Sequence, residues 1–309
     1  MKTFLSRIRH HRRITTQVLF TALTNGYVKG FAEGSIYKGS SKALCVPGLN
    51  CYSCPGAFGS CPIGAMQATL GSQRYQFAFY ITGFLMVIGA ALGRFVCGWL
   101  CPFGLIQDLL HKIPFLRKLR KLPGDGLLRF LKYIMLGLLV ILLPMVVVDM
   151  VGQGKPWFCE YVCPSGTLMA GIPLVASNEG LRAVVGWLFT WKVLILAVIV
   201  ILSIVVYRPF CRYICPLGAV YGLFNPIALY RYSVDEEKCI SCGKCQKACG
   251  FDIKTYETPN SPECIRCGKC KTACPANAIC SGFTGFRTGA ANHRCPDADE
   301  TILKENINQ

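Results

Sequence analysis

Apolar residues run along this chain in long blocks rather than in the short periods of a soluble fold. Three blocks, about 75–96, 127–148 and 183–207, each hold roughly the 20 apolar residues that a bilayer core of about 30 Å requires. A fourth segment, RITTQVLFTALTNGYVKGF from Arg13 to Phe31, is weaker, being broken by threonines and an asparagine. It is counted as a span, with an interfacial helix as the alternative. No small-residue cleavage site follows it, which argues against a signal peptide despite the Arg12–Arg13 pair. Past about residue 232 the blocks stop and the chain turns polar and cysteine-rich. The pattern predicts an all-α membrane bundle of four transmembrane helices over 1–232, a small domain over 233–280, and a polar tail over 281–309.

Charge sets the expected topology. The formal net charge is +17 over 309 residues, 52% of them hydrophobic. In so apolar a chain the excess reads as loop asymmetry, not as nucleic-acid binding. Lys2, Arg7, Arg9, Arg12 and Arg13 precede the first segment, and Lys112, Arg117, Lys118, Arg120, Lys121 and Arg129 follow the second. The other connections are poor in Lys and Arg. Both termini are therefore expected in the cytoplasm.

Twenty cysteines add the chemistry. They are too many for a cytosolic fold, and the chain is too large and apolar for a small disulfide-stapled domain. Metal or cluster ligation is the leading explanation. CISCGKCQKAC places cysteines at 239, 242, 245 and 249, and CIRCGKCKTACP places them at 264, 267, 270 and 274. This is the double run of two-cluster bacterial ferredoxins, in which the fourth cysteine of each run serves the other cluster. By that likeness one [4Fe–4S] cluster takes Cys239, Cys242, Cys245 and Cys274, and a second takes Cys264, Cys267, Cys270 and Cys249. The domain over 233–280 is thus expected to be α+β and ferredoxin-like. Gly250 stands where the motif has proline. Zinc is the alternative, though its usual spacing is paired cysteines rather than three in seven residues.

Four Cys-Pro-x-Gly units remain, at Cys61, Cys101, Cys163 and Cys215, each after an apolar segment. Proline is favoured at the first helical position. Each cysteine is therefore expected at a helix N-terminus, where the dipole favours an anion. The two cytoplasmic units bring Cys97, Cys101, Cys211 and Cys215 to one face, with Arg94 and Arg208 nearby. The two outer units bring Cys159, Cys163 and Cys61; Cys54 is the expected fourth, chosen from Cys45, Cys51 and Cys54. The expected arrangement is two inverted helix-pair repeats with one further iron–sulfur cluster at each membrane face. Disulfides at the outer face, zinc at the inner face and inert packed thiols stay open as alternatives. Lys155 is the expected outer counterpart of the arginines, and Cys280 and Cys295 are expected as free thiols. Lys192, an ionisable group inside the last span, is a functional candidate, with snorkelling to the outer interface as the alternative.

CGWLCPFGLIQDLL, YRPFCRYICPLGAVYGLFN and the double cluster run together resemble the NapH/NosR/MauN-like membrane-bound ferredoxins, over roughly residues 10–280. The resemblance implies an integral protein of the prokaryotic cytoplasmic membrane. It implies electron transfer between the quinone pool or a flavin-bearing partner and cytoplasmic ferredoxin clusters, as a quinol-dehydrogenase-type subunit. Oxidation of quinol on this chain, near Lys192 or Asp149, is one variant. A maturation or regulatory role, in which clusters reduce a metal or sense redox state, is the alternative. No dinucleotide fingerprint, P-loop or nucleophile elbow occurs, so hydride and phosphoryl chemistry are not expected here.

Overall fold

The computed structural model describes residues 2–72, 79–114, 118–150 and 153–283, with the side chains of residues 2–11 excepted. The expected tail from 284, with Cys295, and the loop residue Arg117 lie outside the described residues. The chain is mostly helical. Two helices, Asp125–Val146 and Trp187–Val205, are long and apolar enough to cross a membrane. Leu138, Ile141, Leu194, Val198 and Ile201 on them are exposed, so their outer faces have no protein to cover them. Phe79–Leu92 is apolar but its described helical part is shorter, ending at Gly93 with φ 54°.

The first expected span is not one helix across 13–31. A helix runs Lys2–Thr24, the chain then turns at Asn25–Gly26, and a short helix Val28–Glu33 follows. Arg13 and Gln17 on the long helix are buried. Arg13 donates to the carbonyl of Gly98 and pairs with Asp108. Polar side chains thus tie this face to protein.

The Cys-Pro-x-Gly units behave as their chemistry dictates. Cys61, Cys101 and Cys215 are extended N-caps of helices Pro62–Leu70, Pro102–Leu110 and Pro216–Phe224, each with proline at its start. Cys163 caps Pro164–Gly166, which continues as a wider π-helical turn over Thr167–Gly171. The glycine of each unit leaves room for a neighbour. A Cβ on Gly104 would sit 3.0 Å from the Arg208 guanidinium, and one on Gly218 would sit 3.3 Å from that of Arg94.

The C-terminal part is closed by strands β1 (Tyr230–Val234) and β2 (Ile279–Phe283), antiparallel, with Tyr232 opposite Ser281. Between them lie two short helices, Lys244–Ala248 and Lys269–Ala273, each capped by a left-handed glycine, Gly243 or Gly268. Gly250 replaces the motif's proline for a local reason. A Cβ there would lie 2.3 Å from the Tyr207 ring, so the helical part occupies the space proline needs.

Candidate cluster sites

Cysteines gather in four sets. Cys239, Cys242, Cys245 and Cys274 line one cavity with Ile240 and Tyr256. Cys249, Cys264, Cys267 and Cys270 line a second with Tyr207 and Ile265. Each cavity draws three cysteines from one run and the fourth from the other. Cys245 and Cys270 share one small core with Tyr232 and Ile279, so the two cavities are back to back.

The third set is Cys97, Cys101, Cys211 and Cys215, all buried in one core cluster. Each thiol acts electrostatically on others of the set. The expected arginines are present, and they cross over. Arg94 donates to the carbonyl of Cys211 at 2.9 Å, and Arg208 donates to the carbonyl of Cys97. Each repeat's arginine thereby caps the other repeat's first cysteine. Arg208 takes a left-handed φ of 48° to do so.

The fourth set differs from expectation in one ligand. A cavity of about 630 Å³ is lined by Cys51, Cys61, Cys159 and Cys163, with Asn50 and Lys192. Cys54 is buried elsewhere and does not line it. A Cβ on Gly166 would sit 3.6 Å from the Cys51 sulfur and 4.0 Å from that of Cys163, and one on Gly64 would sit 3.8 Å from that of Cys159. Lys155 is half-exposed and pairs with Asp149 at 3.6 Å, away from the thiols. Lys192 takes the expected arginine's part, donating to the carbonyl of Cys159 at 3.2 Å.

Two glutamines escaped the sequence reading. Gln67 donates its amide to the Cys159 sulfur at 3.2 Å, and Gln107 donates to the Cys211 sulfur at 3.1 Å. Each stands six residues after the cysteine of its own unit, a repeat visible in CPIGAMQ and CPFGLIQ.

The donor sets fit iron–sulfur clusters on three observations. Burial pushes Cys61 and Cys264 up to about 12 and Cys163 and Cys211 up to about 11. These thiols hold their protons until a cation replaces them. Among the described residues no three His, Cys, Asp or Glu side chains are close enough to share a single ion. A zinc site, the alternative, would gather its sulfurs at about 2.3 Å from one ion. Finally, Asn50 is fully buried with both amide atoms unpartnered. A donor left so costs free energy, which an anionic sulfide-bearing group in the cavity would relieve by accepting from Nδ2. Cys45, Cys51, Cys54, Cys61, Cys159 and Cys163 are free thiols, not the disulfides weighed as an alternative. Cys280, expected free, is disulfide-bonded.

Buried cations surround the third set. Arg13, Arg94, Lys132, Arg208, Arg212 and Arg266 are all buried. Asp108, Glu263 and Asp125 pair with five of them, and Arg266 donates to the carbonyls of Leu92 and Asn225. Burial alone would raise the Asp108 carboxyl, but Arg208 and Arg13 bring it down to about 2. The excess positive charge favours anionic occupants of the neighbouring thiol sets.

Comparison with known proteins agrees. A family described as a 4Fe-4S binding domain matches three times, at residues 76–123, 134–178 and 187–229. Each match contains one Cys-Pro-x-Gly unit. A second family of the same description matches 232–255. Uncharacterized protein MJ0750 of Methanocaldococcus jannaschii is 32% identical over 182 residues, covering 58% of this chain and 68% of that protein. The methylamine utilization ferredoxin-type protein MauN of Methylorubrum extorquens is 30% identical, over 56% of this chain and 52% of its own. The ferredoxin-type protein NapH of Escherichia coli is 28% identical, over 61% and 59%. The chain thus spans little more than half the length of most of the curated relatives it matches. No solved structure matches. With its repeated 4Fe-4S binding domains, the chain belongs to the family of ferredoxin-type electron transport proteins that includes NapH and MauN.

Proposed function

We propose that this chain is an integral electron-transfer protein of a prokaryotic cytoplasmic membrane, holding four [4Fe–4S] clusters in series. The proposed ligands are Cys239, Cys242, Cys245 and Cys274; Cys249, Cys264, Cys267 and Cys270; Cys97, Cys101, Cys211 and Cys215; and Cys51, Cys61, Cys159 and Cys163. Such clusters supply one-electron chemistry at potentials set by charge, hydrogen bonds and exposure.

The observation that carries this reading is that neighbouring sets are joined by single residues. Cys245 and Cys270 share a core. Ile265, which lines the second cavity, presses its carbonyl onto Gly98, between Cys97 and Cys101, so closely that a Cβ would fall 2.3 Å away. Trp99 in the same turn donates to the carbonyl of Arg266 at 3.1 Å. Leu49 lines the fourth cavity, and its backbone hydrogen-bonds to the Cys101 thiol. These contacts between neighbouring thiol sets support a series of four.

A four-crossing topology, two inverted helix-pair repeats over 1–232 and cytoplasmic termini are part of the proposal. The two long apolar helices support it. So does the contact of the ferredoxin-like part with the rest of the chain, in which Glu263 pairs with Arg94 and helix Lys269–Ala273 lies against the N-terminal helix. The proposed partners are membrane lipid and a quinone or flavoprotein. Quinol reaching the fourth set directly is the proposed variant, supported by Lys192, which lines the same cavity as the four cysteines. Asp149, half-exposed and paired with Lys155, has no part in that cavity.

Anaerobically purified protein is expected to hold about sixteen irons and as many sulfides, four per cluster. About eight would leave only the ferredoxin-like pair and overturn the series. A quinol analogue added to the same preparation is expected to bleach its visible iron–sulfur absorbance without a partner protein; no bleaching assigns quinol oxidation to another subunit.

A further inference from the structure

We propose that Gln67 and Gln107 are paired tuning residues that raise the reduction potentials of the fourth and third clusters, each through one N–H···S hydrogen bond. This inference rests on the four-cluster reading above. The two side chains come from the same position of two repeats and make the same contact. Gln67 reaches the sulfur of Cys159 and Gln107 that of Cys211, so each glutamine serves the first cysteine of the partner unit, never its own.

The amide orientation is dictated by neighbours rather than by choice. The backbone N–H of Phe158 donates to Gln67 Oε1 at 3.0 Å, which leaves Nε2 facing sulfur. The same amide nitrogen also meets the carbonyl of Ile63 at 3.3 Å, an acceptor that only an N–H group satisfies. Gln107 Nε2 likewise has the carbonyl of Phe103 within 3.5 Å. Both residues are buried, Gln67 at 0% and Gln107 at 1% exposure, so no water competes for the sulfur.

The other two units lack the device. Met169 and Tyr221 stand at the sixth position after Cys163 and Cys215. Met169 sulfur accepts from Ser165 at 3.4 Å, and the Tyr221 hydroxyl donates to the carbonyl of Pro47 at 3.0 Å. One glutamine donor per site is therefore built in, beside backbone N–H donors such as Gly218 to Cys215, and always on the unit that comes first in the chain. A donor to a ligand sulfur stabilises the more negative, reduced state more than the oxidised one. Removing it lowers the potential.

The test is an EPR-monitored redox titration of the full chain, anaerobically purified, as wild type, Q107L, Q107E, Q67L and Q67E. Leucine removes the donor at similar volume, and glutamate puts an acceptor against the sulfur. A hydrogen bond to a charged group is worth enough to shift the reduction equilibrium about tenfold, which for one electron is about 59 mV. We expect one midpoint to fall by that amount in Q107L and further in Q107E. A different midpoint falls in the Gln67 pair, and the two ferredoxin-like midpoints stay fixed. Full iron content with unmoved midpoints overturns the inference. Loss of about four irons in both variants of one glutamine makes that residue a packing element and overturns it as well. Wild-type protein with about eight irons defeats the four-cluster reading instead, before any variant is compared.

Discussion

Cys51→Ser is expected to lower the iron content by about four, one whole cluster, while Cys54→Ser leaves it unchanged. The two cysteines are three residues apart and both are largely buried by the loop that carries them. Only Cys51 lines the cavity with Cys61, Cys159 and Cys163, and its sulfur lies 3.6 Å from where a Gly166 Cβ would be. Cys54 does not line that cavity; its neighbour Lys42, which acts on both thiols, donates to the carbonyl of Tyr52. Serine in place of a ligand removes the thiolate on which the cluster depends; serine at Cys54 exchanges one buried, unligated group for a similar one. Iron and sulfide assays on both variants, with the EPR signals of the remaining clusters, decide the matter. The reverse result, iron lost from Cys54→Ser and kept in Cys51→Ser, would move the ligand.

The reason Cys51 was not legible is a single residue. In three units a cysteine precedes the Cys-Pro cysteine by four positions, at 97, 159 and 211. At the corresponding place before Cys61 stands Ala57. The spacing that identifies the other ligands is therefore absent, and the missing thiol arrives from a loop whose path depends on tertiary contacts. Val46 bonds to Ser60, and Phe58 bonds to Thr24 at the end of the first helix. The ferredoxin-like sets were readable because three of four ligands sit within seven residues and the motif itself prescribes the crossover. The N-cap placement of Cys61, Cys101, Cys163 and Cys215 followed from the proline alone. Gln67 and Gln107 left a repeat in plain view, yet a glutamine in a helix has many uses. Only the contact with sulfur distinguishes this one. The end of the first segment's helix at Thr24 and its polar anchoring were not legible because hydropathy does not report pairing. Arg13 is buried against Asp108, a residue 95 positions away.

That Asp108 contact carries the other large effect. Asp108→Asn is expected to destabilise the folded chain by about 3–5 kcal/mol, the usual cost of leaving buried charges without their partner. Asp108 receives both prongs of Arg208, at 2.8 and 2.6 Å, and Arg13 as well. Arg208 and Arg13 are 0% and 3% exposed. An asparagine keeps the shape and one acceptor oxygen but not the charge, so two guanidinium groups stay buried beside the third thiol set. The exposed pair of Lys254 and Glu257 is the control. Glu257→Ala should leave stability nearly unchanged, as exposed pairs do. Chemical denaturation in detergent, followed through loss of helix signal, separates the two. The effect has a pH signature with a definite sign. The folded carboxyl sits at about 2, below its ordinary 3.8. Its stabilisation is whole above the ordinary value and is lost as pH falls through about 2. Wild type should therefore lose stability across that acid window, while Asp108→Asn starts lower and is flatter there. A variant as stable as wild type at neutral pH would show that the buried arginines find other partners, and the charge balance drawn around the third site would fall with it.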